Sequence, residues 1–131
     1  MLRLDIHNEH FCIGASADNN SKEVELYPCS SKQKEFWILD LKGRLISAKF
    51  PTRCLSPSST VDDGLRQIRL ESCSTVARYQ SWFLTSAGEI RFEGSELAIQ
   101  VKDVSHHEKI YLGPRPKGKS AYMSWIRISK D

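Results

Sequence analysis

The sequence predicts an all-β fold, a β-trefoil of three pseudo-repeats with four short strands each, and three observations predict it. Trp37, Trp82 and Trp125 stand 45 and 43 residues apart. The cysteines keep the same register, with 17 residues from Cys12 to Cys29 and 19 from Cys54 to Cys73. Between these markers the segments are short and alternate polar with apolar residues, which is the two-residue period of half-buried strands.

The elements follow in chain order. Leu2-Arg-Leu-Asp-Ile6 is the first strand, matched later by Leu45-Ile46 and by Ile90-Arg-Phe92. Gly43 and Gly88 each lie six residues after a tryptophan and read as hairpin turns, where glycine reaches positive φ at no steric cost. Before each second cysteine comes a similar strand, Val24-Glu-Leu-Tyr-Pro-Cys29 and Ile68-Arg-Leu-Glu-Ser-Cys73. The third copy, Ile110-Tyr-Leu-Gly-Pro-Arg115, puts Arg115 there, and Ala98 stands 17 residues before it. The third repeat therefore keeps the pattern without the cysteines. No stretch sustains a helical apolar stripe with caps. One domain over residues 1–131 is expected, with repeats of about 1–42, 43–87 and 88–131 and the tryptophans buried near a pseudo-threefold axis. Closure of twelve strands removes exposed edges; an opened-up β-sandwich is the alternative arrangement.

Composition narrows the classes. With 19 Lys+Arg against 16 Asp+Glu, the net charge is +3, too mild for the pronounced basic face of a dedicated nucleic-acid binder. No nucleic-acid partner is expected. No apolar run of about 18 residues is present for a membrane-spanning helix, so no membrane insertion is expected either. Four cysteines allow three connectivities, and Cys12, Cys29, Cys54 and Cys73 lack the Cys-x-x-Cys spacing of zinc sites. Their spacing favours disulfides and an oxidising compartment. The start, Met1-Leu-Arg-Leu-Asp-Ile-His-Asn8, lacks the apolar stretch of a secretory signal. Two expectations stand side by side: a secreted protein or an ectodomain of a larger one, and a cytosolic protein.

The pattern Cys…Leu-x-x-Cys…Gln-x-Trp, repeated, resembles the ricin-type lectin family over essentially the whole chain. Gln80-Ser-Trp82 matches the Gln-x-Trp motif fully, whereas Glu35-Phe-Trp37 and Met123-Ser-Trp125 keep only the tryptophan. The resemblance implies disulfides Cys12–Cys29 and Cys54–Cys73, a non-catalytic carbohydrate-binding module, no cofactor, and glycans or glycoproteins as partners. Ile6-His-Asn-Glu-His-Phe-Cys12, Leu45-Ile-Ser-Ala-Lys-Phe-Pro-Thr-Arg-Cys54 and Gly94-Ser-Glu-Leu-Ala98 are also similar to the N-terminal cysteine-rich domain of the mannose receptor family, whose further cysteine pair is missing here.

A bound pyranose needs an aromatic face for its C–H side and convergent polar groups for its hydroxyls. In ricin-type lectins an Asp two residues after the first cysteine holds two hydroxyls; the matching positions here are Gly14, Ser56 and Gln100, none of them acidic. The stacking aromatic, two residues before the second cysteine, survives only as Tyr27, with Glu25, Glu35, Asp18 and Asn19 as its neighbours by family position. Glu71 and Gly113 replace it elsewhere. A half-exposed strand tyrosine with an acidic rim is the plain alternative. The mannose-receptor-like resemblance implies a second candidate, in which Tyr122, three residues before Trp125, stacks on a sulfated N-acetylgalactosamine. Facing it, the loop Lys102-Asp-Val-Ser-His-His-Glu-Lys109 would cradle the sulfate, with Asp103 in the loop, donors from Ser105, His106 and His107, and Lys102, Lys109, Lys117 and Lys119 adding positive charge. Adjacent His106 and His107 would point to opposite faces of a strand, and no ligand trio beside them supports a metal.

Two rival functions remain. A protein-binding trefoil with decayed sugar sites would explain the missing acids. A heparin-like polyanion binder would use Arg115, Lys117 and Lys119, a run that otherwise reads as a solvated loop. No Gly-x-Ser-x-Gly, phosphate-loop or His-Glu-x-x-His motif is present. The pair Asp62-Asp63 falls in Ser56–Gly64, read as a polar loop that supplies no desolvated pocket for a general acid. Catalysis is not expected.

Overall fold

The computed structural model describes residues 2–6, 10–16, 23–30, 32–74, 80–86 and 89–114, together with the backbone of 124–130. The first repeat holds β1 (Leu2–Ile6), β2 (Phe11–Ala15), β3 (Val24–Pro28) and β4 (Phe36–Leu39), the last preceded by a 3-10 turn at Gln33–Glu35. The second holds β5 (Leu45–Ser47), β6 (Arg53–Asp62), β7 (Leu65–Ser72) and β8 (Trp82–Leu84). The third holds β9 (Ile90–Phe92), β10 (Ala98–Val101), β11 (Tyr111–Gly113) and β12 (Ser124–Lys130).

All the ladders are antiparallel, and β12 closes the circuit by pairing with β1 from Leu2↔Lys130 to Ile6↔Ile126. Hairpins β2–β3, β6–β7 and β10–β11 repeat one register. Cys12 faces Tyr27, Cys54 faces Glu71, and Ala98 faces Gly113. Positions that match under this register share a fate. Ile13, Leu55 and Ile99 are all fully buried, as are Val24, Ile68 and Ile110. The alternation read from the sequence is thus the inward face of a core that all three repeats share.

Trp37 and Trp82 are buried, and each donates its indole N–H to an equivalent carbonyl: Ile13 at 3.1 Å and Leu55 at 3.2 Å. A buried indole needs such a partner. The side chain of Trp125 and the turn at Gly88 lie outside the described residues. Gly43 has φ +82°, and a Cβ there would sit 3.0 Å from the Trp82 carbonyl. Cys12–Cys29 and Cys54–Cys73 are the two disulfides.

One segment departs from expectation. Ser56–Gly64, read as a polar loop, is strand as far as Asp62, and only Asp63 and Gly64, at φ +54° and +77°, make the turn. The register slips between Pro57 and Val61. A β-bulge absorbs extra residues without ending a strand, and Ser58 holds it by donating its hydroxyl to Gln67 O at 2.8 Å.

Candidate functional site

Register alone makes Gly14, Ser56 and Gln100 equivalent, and each position is occupied differently. A Cβ on Gly14 would lie 2.7 Å from Tyr27 Cδ2. The phenol ring therefore lies over the glycine, and Tyr27 is only 7% exposed, rather than half-exposed as in the plain alternative to a stacking role. Lys34 Nζ sits 3.7 Å from the ring centroid, a cation held by the ring quadrupole. In the third repeat the arrangement is reversed: a large residue, the buried Gln100, faces a small one. Its Nε2 donates to Pro114 O at 3.1 Å, and its Oε1 is buried with no hydrogen-bond partner among the described residues.

The two candidate regions read separately in the sequence, around Tyr27 and along Lys102–Lys109, come together. The third-repeat loop crosses onto β3, where Leu26 N donates to Glu108 O at 2.9 Å and His107 N to Leu26 O at 2.8 Å. His107 has φ +68°, an uncommon conformation outside glycine. It lets His106 and His107 stack at 3.9 Å with 17° between their planes instead of pointing apart as on a strand. Both imidazoles meet Tyr27 edge-on, at 5.9 Å and 5.4 Å. Both are exposed.

Glu25 is the hub beneath them. Its Oε1 accepts the Tyr27 hydroxyl at 3.2 Å and lies 3.0 Å from His107 Nδ1, while Oε2 accepts Lys109 Nζ at 2.6 Å. Lys109 also donates to Glu23 Oε2 at 3.0 Å, which in turn accepts Gln67 Nε2 at 3.2 Å. Partial burial acts to raise the Glu25 pKa, but the hydrogen bonds from Lys109, His107 and Tyr27 outweigh it and hold the carboxyl below its usual range. For Lys109, burial pulls downward and the bonds to Glu25 and Glu23 prevail, so its pKa is raised. Both groups are thus ionised at neutral pH. Burial first, and the Glu25 charge second, push the Tyr27 phenol up to about 12. The tyrosine remains a donor.

Lys102 turns away from this cluster. Its Nζ bonds Asp62 at 2.6 Å and Asp63 at 3.2 Å, and lies 4.7 Å from the Tyr111 ring centroid. Desolvation pulls its pKa down; the bonds to the two carboxylates more than reverse this. Asp103 bonds the neighbouring Val104 N at 2.8 Å, and Ser105 Oγ bonds Glu108 Oε2 at 3.3 Å. These contacts shape the loop. Tyr122, Asp18, Asn19, Arg115, Lys117 and Lys119 lie outside the described residues.

Comparison with known proteins decides the family. The ricin-type beta-trefoil lectin domain family matches residues 3–125. This chain belongs to that family. No curated protein matches it by sequence. Among solved structures it superposes on the Abrus precatorius agglutinin with a TM-score of 0.73 at 17% identity, over 95% of this chain and 46% of that one. A non-toxic homologue of type II ribosome-inactivating proteins (RIPs) from Momordica charantia (bitter gourd) gives 0.74 at 22%, over 97% and 48%. The hemolysin/cytolysin β-trefoil lectin of Vibrio vulnificus gives 0.68 at 17%, over 98% and 96%. At these identities the likeness is one of fold. The chain spans less than half the length of the Abrus and Momordica chains.

Membership in the ricin-type lectin family indicates carbohydrate binding. Its Gln-x-Trp motif explains Glu35, which the sequence places among the neighbours of Tyr27. Glu35 stands where the second repeat of this lectin domain has Gln80. Gln80 Oε1 accepts Ser74 N at 2.6 Å, and the fully buried Glu35 Oε1 accepts Ser30 N at 2.7 Å, at the equivalent position after the cysteine. Its Oε2 also accepts Ser30 Oγ at 2.6 Å and Lys32 N at 3.1 Å. Glu35 is therefore a framework residue. Lys34 was missed, although its signal was present: it lies three residues before Trp37, as Tyr79 lies before Trp82 and Tyr122 before Trp125.

Proposed function

We propose that this domain binds, without chemical turnover, a galactose- or N-acetylgalactosamine-type glycan that carries an acidic substituent. The proposed seat is the junction of the first-repeat hairpin with the third-repeat loop. The observation that carries this reading is the exposed, stacked pair His106–His107 set against Tyr27 and Glu25. A flat imidazole face suits the C–H side of a pyranose. Glu25 offers acceptor oxygens to hydroxyls, and Lys34 with the two imidazoles offers donors to an acidic group. Lys102 and Lys109 each hold two carboxylates already, so the histidines and Lys34 carry the anion preference in their place.

Two structural neighbours support the sugar class, since they were solved with α-methyl-D-galactoside and with N-acetyl-D-lactosamine. Glu25, held ionised, has no proton to give as a general acid at neutral pH, in keeping with a non-catalytic role. The two disulfides favour an extracellular setting. The test is calorimetry on glycans selected from an array that includes sulfated and sialylated galactosides. His106→Ala is expected to weaken binding at least about tenfold with the fold intact. Tyr122→Ala reports separately on the third-repeat candidate expected from the sequence. Unchanged binding in the His106 variant together with loss in the Tyr122 variant moves the seat to the third repeat.

A protein-binding role is the second reading. It is favoured by Gly14, where the Tyr27 ring fills the space in which the family places its sugar-binding acid. That reading expects silence across the whole array and retention of a folded partner.

A further inference from the structure

The β6–β7 hairpin is the longest in the described structure and is pinned at two points. At the bulge, Arg66 Nη1 donates to Ser58 O at 2.8 Å; at the tip, Lys102 holds Asp62 and Asp63. Held this way, the hairpin borders a pocket of about 440 Å³ at the boundary between the second and third repeats, lined by Ser56, Pro57, Arg66, Phe92, Leu97 and Leu112. Phe92 and Leu97 are partly buried against the core, and Leu112 is 3% exposed, so this wall is fixed. The volume lies within the range of small-molecule sites, which are mostly apolar with a few placed polar groups. Among the described residues, the charged group at its rim is the Arg66 guanidinium. None of the six residues belongs to the Glu25–His107 cluster.

We infer that this pocket binds a small amphipathic anion, an aryl or short alkyl body bearing a single sulfonate, sulfate or carboxylate. The body lies against Phe92, Leu97, Leu112 and Pro57, where its apolar surface leaves water. The acidic group meets the Arg66 guanidinium, whose planar fork matches such oxygens. Among the described residues, no acidic side chain lines the pocket to repel it. The inference is independent of the glycan seat, because neither site contributes a side chain to the other.

The probe is 8-anilinonaphthalene-1-sulfonate, compared with the uncharged N-phenyl-1-naphthylamine, by fluorescence titration of the whole chain in its disulfide-bonded form. Saturable binding of one sulfonate per chain is expected. Arg66→Gln removes the guanidinium and its bond to Ser58 O but no apolar atom of the Phe92–Leu97–Leu112 wall; it is expected to weaken the sulfonate about tenfold while leaving the uncharged dye, which reports on that wall, unchanged. Leu97→Trp, which fills the pocket, is expected to remove both, with an unaltered far-UV spectrum. Unsaturable binding overturns the inference, as does a signal that survives both variants. A signal removed instead by Phe83→Ser also overturns it, because Phe83 belongs with Ile38, Leu39, Leu41 and Leu84 to a separate set of exposed apolar side chains on β4, its following turn and β8.

Discussion

At the scale of single residues, the lost sugar acid of the first repeat has a physical explanation. The Tyr27 ring takes the room that any side chain at position 14 would need. Gly14→Ala is expected to cost about 1–3 kcal/mol, as overpacking of a fixed site does, and a urea titration measures it. A loss well under that range would mean that Tyr27 swings away freely. The protonation of Glu25 and Lys109 sets a second expectation. A carboxylate with a lowered pKa contributes stability at neutral pH that is lost as pH falls through its folded value; a lysine with a raised pKa contributes until pH climbs through its own. The loop is therefore held best from about pH 5 to about pH 10. Thermal melting should fall less between about pH 6 and about pH 4 in Glu25→Gln than in the parent chain. Equal falls would dismiss the role given to Glu25.

At the scale of elements, register and local chemistry explain most of what was legible. The period of the tryptophans and cysteines located the hairpins because a buried indole and a disulfide each demand one geometry. The cysteine pairs close spans of 17 and 19 residues, and replacing Cys54 and Cys73 together with Ser is expected to lower stability by about 3 kcal/mol. Chemical unfolding of the variant checks this; an unchanged midpoint would mean that strain in the native bridge offsets the entropy gained. Ser56–Gly64 was misread because Ser, Pro and Gly ordinarily mark turns. A bulge and the tip contacts from Lys102, distant in sequence, keep this run as strand. The Lys102–Lys109 loop was recognised as a site element, yet its seat on β3 was not, since no local pattern encodes which neighbour a loop will cross.

At the scale of the whole molecule, three equivalent positions in the repeat register meet one another. Glu23, Gln67 and Lys109, each six residues before the second-cysteine position, are joined through Glu23. A like residue at all three would place three equal charges or three equal amides together, so divergence here fits an ancestral symmetry broken to satisfy hydrogen bonds. Because one core serves all three repeats, unfolding is expected to be a single transition. Tryptophan emission and far-UV dichroism should coincide along a denaturant series. Separate midpoints would show that a repeat unfolds by itself.

Periodic apolar residues, tryptophans and cysteines determined by themselves the all-β class, the three copies and the family likeness that implies the disulfide pairing, because each depends on spacing along the chain. Only the tertiary structure decided that Tyr27 is covered, that the third-repeat loop joins the first-repeat hairpin, that Lys102 serves the second repeat, and that a pocket opens beside β6–β7. The contacts that seat the loop and Lys102 join residues 39 to 86 positions apart. Packing and charge pairing across that distance are settled only when the chain closes on itself.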